Sequence, residues 1–263
     1  MSFELVVVGG GNMGAALLGG MLDAGSAIPA TTAVVEPNET RRDELTRLFP
    51  GVTVVAEMPS CVSAILAVKP PDISAVAAGA AAAGARRVLS VAAGVPTRTI
   101  ADATGPDVAV LRTMPNTPAL VRQGVSALCG AEGTSEDDLD WADAALRGVG
   151  LVVRVAESQL DAVTGLSGSG PAYVFLVAEA LIDAGVVAGL PRVTVETMVA
   201  QLLVGSAALL AERGNPADLR AMVTSPGGTT AAGIGVLEER SVRAALIDAV
   251  QAATERSREL GAG

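Results

Sequence analysis

The chain has 263 residues, a length expected of one or two domains. Half of them are apolar and 2% aromatic, and 28 acidic against 18 basic residues leave a net charge of −10, which argues against nucleic acid or an anionic membrane as partner. Histidine is absent and Lys69 is the only lysine, which removes His-based proton relays, Ser-His-Asp triads and His-ligated metals.

The chain opens on an apolar strand, Glu4 to Val8, that leads into Gly9-Gly10-Gly11-Asn12-Met13-Gly14 and then a helical pattern through Leu22. In this Gly-x-Gly-x-x-Gly loop, Gly9 permits the tight turn, Gly11 lets a pyrophosphate reach the backbone and Gly14 lets helix and strand pack closely. A second strand, Thr32 to Val35, ends in Glu36-Pro37-Asn38-Glu39-Thr40-Arg41-Arg42. Glu36 stands where an acid binds the ribose 2′-hydroxyl of NAD, whereas Asn38, Thr40, Arg41 and Arg42 suit a 2′-phosphate, so the segment points both ways. The arginines also fit as plain helix-surface charges.

Strands are expected at Val52–Val55 and Ala64–Val68. The latter runs into Lys69-Pro70-Pro71 and leaves Lys69 at the sheet edge where such folds bind ligands. Further strands are expected at Val88–Ala92, at Val108–Arg112 ahead of the rigid Met114-Pro115-Asn116-Thr117-Pro118 loop, and at Leu151–Val155. Asn116 is a candidate hydrogen-bonding group beside the nicotinamide and the substrate; an ordinary proline turn is the plainer reading. Cys61 and Cys129 follow no metal or redox spacing and are expected to be buried and inert.

After Glu157 the pattern turns helical. We expect a dinucleotide-binding domain over 1–157 and a helical substrate-binding and dimerisation domain over 158–263. Gly168-Ser169-Gly170 is expected as a hinge. Helices are expected at 172–188, 193–212, 216–223 and 230–260, with Gly189 and Gly214 as C-terminal stops. The stretch Pro171–Ala188 is apolar enough for a membrane span, but Glu179 and Asp183 interrupt it. A helix buried in a core or a subunit interface is the expectation. No basic n-region or cleavage site opens the chain, so a cytoplasmic protein is expected.

Ser225-Pro226-Gly227-Gly228-Thr229-Thr230 carries a Gly-Gly step ahead of a helical pattern. Exposed amides at a helix N-terminus suit a small carboxylate, and the threonines add hydroxyls; a tight turn with a threonine cap is the alternative. With so few basic side chains, an acceptor of hydride that needs only modest proton help, such as an imine, fits best.

In the glycine loop, Ala67-Val68-Lys69-Pro70, Ala92-Ala93-Gly94-Val95, Met114–Pro118, Asp161–Tyr173 and Ser225–Thr230, the chain resembles the pyrroline-5-carboxylate reductases, collinearly and over essentially its whole length. The resemblance implies NAD(P)H-dependent reduction of L-1-pyrroline-5-carboxylate to L-proline, without a metal. It implies a Rossmann domain followed by a helical domain that forms dimers, which in this family often build decamers. It places Thr230 on the ring nitrogen, Gly228 and Thr229 with Gly227 in the carboxylate cradle, Ser225 in the same pocket, and Ala67, Val68, Lys69, Pro70, Ala92 and Ala93 along the cofactor edge. The chain departs from the pattern at Ala56-Glu57 and at Ala221 and Met222, which leaves NADH or NADPH open. Two other readings remain. One is a related reductase of a small imino or hydroxy acid, such as a β-hydroxyacid dehydrogenase or a deazaflavin-dependent NADP reductase. The hydroxyacid enzymes use a lysine in the helical domain, where this chain has none. The other is a non-catalytic nucleotide-binding dimer.

Overall fold

Strand β1 (Phe3–Val8) is the centre from which the sheet grows. Its Leu5 and Val7 enter one apolar cluster and its Val6 and Val8 another, because successive side chains of a strand point to opposite faces. The computed structural model describes residues 2–262. It shows an eight-stranded sheet in the order β3-β2-β1-β4-β5-β6-β7-β8, with β2 (Thr32–Val35), β3 (Thr53–Val55), β4 (Cys61–Leu66), β5 (Arg87–Ser90), β6 (Ala109–Met114), β7 (Gly124–Gly130) and β8 (Gly150–Arg154). All neighbouring pairs are parallel except β6 with β7. The expected doubly wound architecture is present, and its strand order reverses at β1, between β2 and β4.

Helices α1 (Asn12–Asp23), α2 (Glu39–Leu48), α3 (Ile73–Ala82), α4 (Thr97–Thr104) and α5 (Glu136–Arg147) complete this part. α1, α2 and α5 contribute to the cluster that holds Leu17, Leu45 and Leu146, and α3 and α4 to the one with Ile73 and Ile100. α5 is capped by Ser135, which accepts from Asp138 N–H, and has three acids in its first turn against the helix dipole.

The chain divides into two compact units, 1–169 with 252–263, and 170–251. The second contains α7 (Gly170–Val187), α8 (Arg192–Arg213), α9 (Pro216–Met222), α10 (Thr229–Glu239) and the start of α11 (Val242–Ala262). Gly189 and Gly214 end α7 and α8 with φ of +98° and +83°, as expected of C-terminal glycines. Within this unit, α7 and α8 approach closely at Gly185, where a Cβ would come within 2.6 Å of Val195.

Three expectations need correction. The long helix 230–260 is broken at Ser241, whose φ of +56° ends α10, with its N–H donating to Glu238 O. Gly168-Ser169-Gly170 follows a π-helical turn, Thr164–Gly168, after the short α6 (Leu160–Val163), and α7 starts at Gly170, where the second compact unit also begins. The strand expected at 64–68 ends two residues earlier, so Ala67 and Val68 lie beyond it. Finally, of the two settings expected for α7, a core or a subunit interface, the core of the single chain is excluded, since Phe175 and Leu176 are more than 60% exposed. By length and composition the helical runs Glu157–Val187 and Arg192–Arg213 would suffice to cross a membrane.

Glu157 ties three distant segments of the first unit together. Its Oε1 accepts from Thr97 N–H and from Arg112 Nη1, and its Oε2 from Thr97 Oγ1, all at 2.6 Å. α4 has no cap of its own, so the carboxylate satisfies its first amide from 60 residues away. Burial raises the Glu157 pKa, but the two hydrogen bonds from Thr97 and the pairing with Arg112 outweigh it, and the pKa lies below its ordinary 4.5. Nearby Cys129 is pushed up to about 11, by burial and then by the Glu157 charge.

A group whose folded pKa is depressed stabilises the fold above its unfolded pKa and loses that contribution as pH falls through the folded one. Glu157→Gln should therefore cost about 2 kcal/mol at neutral pH, in the range for hydrogen bonds to a charged group. The gap to wild type should narrow below pH 4.5. Thermal unfolding at matched protein concentration checks both, and a gap that does not change with pH would remove Glu157 from this role.

Candidate active site

The turn after β1 has no room for side chains on three of its four glycines; a Cβ on Gly10 would overlap the buried Leu45 side chain. Gly9 has φ of +100°, and a Cβ there would lie 2.8 Å from the Ala67 carbonyl carbon. A Cβ on Gly14 would overlap the Gly9 carbonyl, whereas a Cβ on Gly11 would meet nothing within 4 Å. Gly11 is the N-cap of α1, no side chain accepts from the first turn, and no acid stands in it. Its first amides and positive dipole end are therefore available to an anion. Gly11 and Asn12 are exposed and Met13 is half-buried. An open backbone face beside unpartnered amides fits the pyrophosphate of a dinucleotide.

Glu36, just after β2, folds its carboxylate onto this turn. Oε2 accepts from Gly10 N–H at 3.0 Å and Oε1 from Asn38 N–H at 2.9 Å. Arg41 donates from Nε to Gly10 O at 2.7 Å and from Nη1 to Glu44 at 2.8 Å. Arg42 donates to the carbonyls of Glu36 and Pro37. Asn38 caps α2 by accepting from Arg41 N–H.

On the other side of β1, a cleft of about 370 Å³ is lined by Met13, Ala67, Val68, Lys69, Val91, Met114 to Thr117 and Gly168. Lys69 is exposed, and Pro70 begins a 3-10 turn that leads away. Ala92 is buried behind Val91 and Ala93 is half-buried. Asn116 is held at both ends: its Oδ1 accepts from Val125 N–H at 3.0 Å and its Nδ2 donates to Ser167 O at 3.1 Å. The π-helical turn brings Gly168 against Met114, where a Cβ would come within 2.8 Å of the methionine methyl.

Ser225 to Thr230 belong to the second unit. Gly227 has φ of +68° with open space around it, and Gly228 donates its N–H to Ser225 O at 3.1 Å. Gly228 is the N-cap of α10 and no side chain caps that helix. Its ladder begins with Ala232 N–H to Gly228 O, so the Thr229 and Thr230 amides point out of the helix end. Ser225 and Thr229 are exposed and Thr230 half-buried. Among the described residues, no three His, Cys, Asp or Glu side chains are grouped to hold a metal.

Comparison with known proteins agrees with this layout. Residues 157–260 match the family model described as pyrroline-5-carboxylate reductase dimerisation, and residues 4–94 the model for NADP oxidoreductase coenzyme F420-dependent. The pyrroline-5-carboxylate reductase of Synechocystis is 44% identical over 99% of both chains. The chain belongs to the pyrroline-5-carboxylate reductase family. A structure of such a reductase from Coxiella burnetii superposes with a TM-score of 0.90 at 34% identity, covering 98% of each chain. The Plasmodium falciparum pyrroline carboxylate reductase, solved with NADP bound, does so at 0.86 and 28% identity, again over 98% of each. The match to the F420-dependent model stays within the nucleotide-binding half, the region that the deazaflavin-dependent reading shares with reductases of this family.

Two features of the site were not foreseen. The hydrogen bond from Gly10 to Glu36 and the grip of Arg41 on the Gly10 carbonyl join loops 26 and 31 residues apart. The wall at Ser167 and Gly168 is built from backbone, which leaves little trace in side-chain pattern. The glycine geometry yields a prediction. Gly11→Ala should leave stability within about 1 kcal/mol of wild type yet weaken dinucleotide binding, since its methyl would occupy the open face. Gly14→Ala should destabilise by roughly 1–3 kcal/mol through overpacking. Thermal melts with titration of a nicotinamide dinucleotide check the pair, and equal effects of the two variants on stability would contradict it.

Proposed function

We infer that this protein reduces L-1-pyrroline-5-carboxylate to L-proline, the last step of proline biosynthesis, as an NAD(P)H-dependent oxidoreductase. The full-length similarity to pyrroline-5-carboxylate reductases carries this reading, and the two helix N-termini give it a chemistry. When bound, the reduced nicotinamide supplies the hydride. The Gly11 to Gly14 turn holds the pyrophosphate, with Gly9, Gly10, Asn12 and Met13 shaping it, and Ala67 to Pro70 with Ala92 and Ala93 form the nicotinamide edge. Asn116 keeps the 115–118 loop in place beside the substrate.

The substrate carboxylate is assigned to the amides around Gly227, Gly228 and Thr229, with Ser225 closing the turn. There α10 provides unpartnered N–H groups and a favourable dipole. Thr230 Oγ1 then orients the ring nitrogen. A threonine hydroxyl is too weak an acid to protonate an imine at neutral pH, so the imine takes its proton from solvent, directly or relayed through Thr230. This division of labour suits a chain without histidine. A fixed carboxylate sets the C=N carbon for attack, and positioning supplies most of the rate.

The functional boundary is placed at 157/158, supported by the start of the dimerisation match at residue 157. The protein acts as a homodimer through the helical region, with decamers as the larger assembly, in the cytoplasm. It needs no metal, nucleic acid or membrane.

Thr230→Ala should lower kcat by the equivalent of about 1–3 kcal/mol, the loss of a buried hydrogen bond, while dinucleotide affinity stays unchanged. Thr230→Ser should retain most activity. Steady-state kinetics with pyrroline-5-carboxylate checks this. Unchanged turnover in the alanine variant would remove the role of Thr230, and no substrate-dependent cofactor oxidation by folded dimeric protein would remove the reductase reading.

A further inference from the structure

We infer that this chain selects NADH over NADPH and that Glu36 is the residue that makes the choice; this rests on the dinucleotide reading of the Gly9–Gly14 turn. The backbone of Glu36 is fixed at the sheet edge by its N–H to Val55 O at 2.9 Å, next to Val35, whose carbonyl accepts from Gly9 N–H at 2.9 Å. Its carboxylate lies on the turn itself, 3.0 Å from Gly10 N. In a fold of this kind the adenosine ribose lies at this corner, between the end of the second strand and the glycine turn.

A carboxylate has about four lone-pair positions. Gly10 and Asn38 each occupy one, and the others remain for the two hydroxyls of an unmodified ribose, both of which are donors. A 2′-phosphate is the opposite partner. It brings up to two negative charges and only acceptors against a carboxylate that cannot donate to it.

Accommodating that phosphate would need a cation turned toward it beside Glu36, and the two nearby guanidinium groups already donate to other partners. Arg41 holds the Gly10 carbonyl and Glu44. Arg42 binds two backbone carbonyls. Lys69 lines the opposite cleft, with Met114 and Asn116. Between residues 36 and 44 the sequence holds four carboxylates and two guanidinium groups. At the N-terminus of α2, the other natural seat for a phosphate, Asn38 Oδ1 takes the Arg41 N–H and Glu36 the Asn38 N–H, and Glu39 adds a further carboxylate in the first turn. Turning Arg41 outward would give up its contacts with Gly10 and Glu44 and would leave the Glu36 charge in place.

The test is direct binding of NADH and of NADPH to the purified full-length protein without substrate, read by the fluorescence of the reduced nicotinamide, at low and high salt. Wild type should bind NADH about tenfold or more tighter, the scale of a lost charged hydrogen bond. The gap should shrink in high salt, which screens the repulsion between phosphate and carboxylate. Glu36→Gln should bind NADH several-fold more weakly and NADPH more tightly, with an unchanged melting temperature as the check on folding. Equal or tighter binding of NADPH by wild type overturns the inference while leaving the reductase reading intact if pyrroline-5-carboxylate is still reduced. Binding of neither dinucleotide by folded protein overturns both.

Discussion

The Gly9 carbonyl occupies the space in which any larger residue at position 14 would place its Cβ. This contact between two backbones fixes how α1 leaves β1, and much of the nucleotide-binding unit follows from it. With the first turn of α1 pressed onto the strand end, Leu17, Leu18 and Met21 fall into the core. The far end of α1 then meets the turn after α5, again through glycines. A Cβ on Gly20 would come within 2.7 Å of the Gly148 carbonyl. A helix held by backbone at both ends keeps its N-terminal amides in one place, as a preorganised anion site requires.

The same device recurs at Ser225–Thr230. In both places a glycine with positive φ makes the turn, Gly9 and Gly227. In both a second glycine in extended backbone serves as N-cap, Gly11 with ψ of −174° and Gly228 with ψ of 171°. Neither helix has a side-chain cap, although capping is the usual way to satisfy first-turn amides. α2 and α5 do have side-chain caps, from Asn38 and Ser135. α3, α4 and α8 lack such a cap too, and in α4 the first amide is met by Glu157 instead. In a chain of charge −10 with one lysine, the positive ends of helix dipoles suit the proposed role of holding anions.

Features that depend on backbone requirements were the legible ones. The glycine turns, the apolar strands β1 and β2 and the stops at Gly189 and Gly214 each demand a residue type that sequence shows directly. The break at Ser241 gave no such sign, because no glycine or proline stands between Glu238 and Arg243 and a serine takes the left-handed conformation. Strand β7 was read only as an apolar stretch around Cys129, since its antiparallel place in the sheet is a property of the tertiary pairing with β6. The Glu157 node was illegible for the same reason, as its partners Thr97 and Arg112 are 60 and 45 residues away. At Glu36 the sequence pointed toward both forms of the dinucleotide, and it gave no sign that both arginines donate to backbone carbonyls.

The helical unit cannot be explained by its own packing. Between residues 170 and 251, Val195 and Val199 are the buried apolar residues, while Val174, Phe175, Leu176, Val177, Leu202 and Val204 stay exposed. Apolar surface contributes about 25 cal/mol per Å² when it leaves water, and helices that forgo most of that gain lack the term that outweighs chain entropy. Exposed patches of this extent mark association surfaces, in keeping with the dimerisation family model that spans them. Folding of this unit and assembly are therefore one thermodynamic event, with stability that depends on protein concentration. Because Ser225 to Thr230 belong to the same unit, the proposed carboxylate cradle takes its shape from a region that association stabilises.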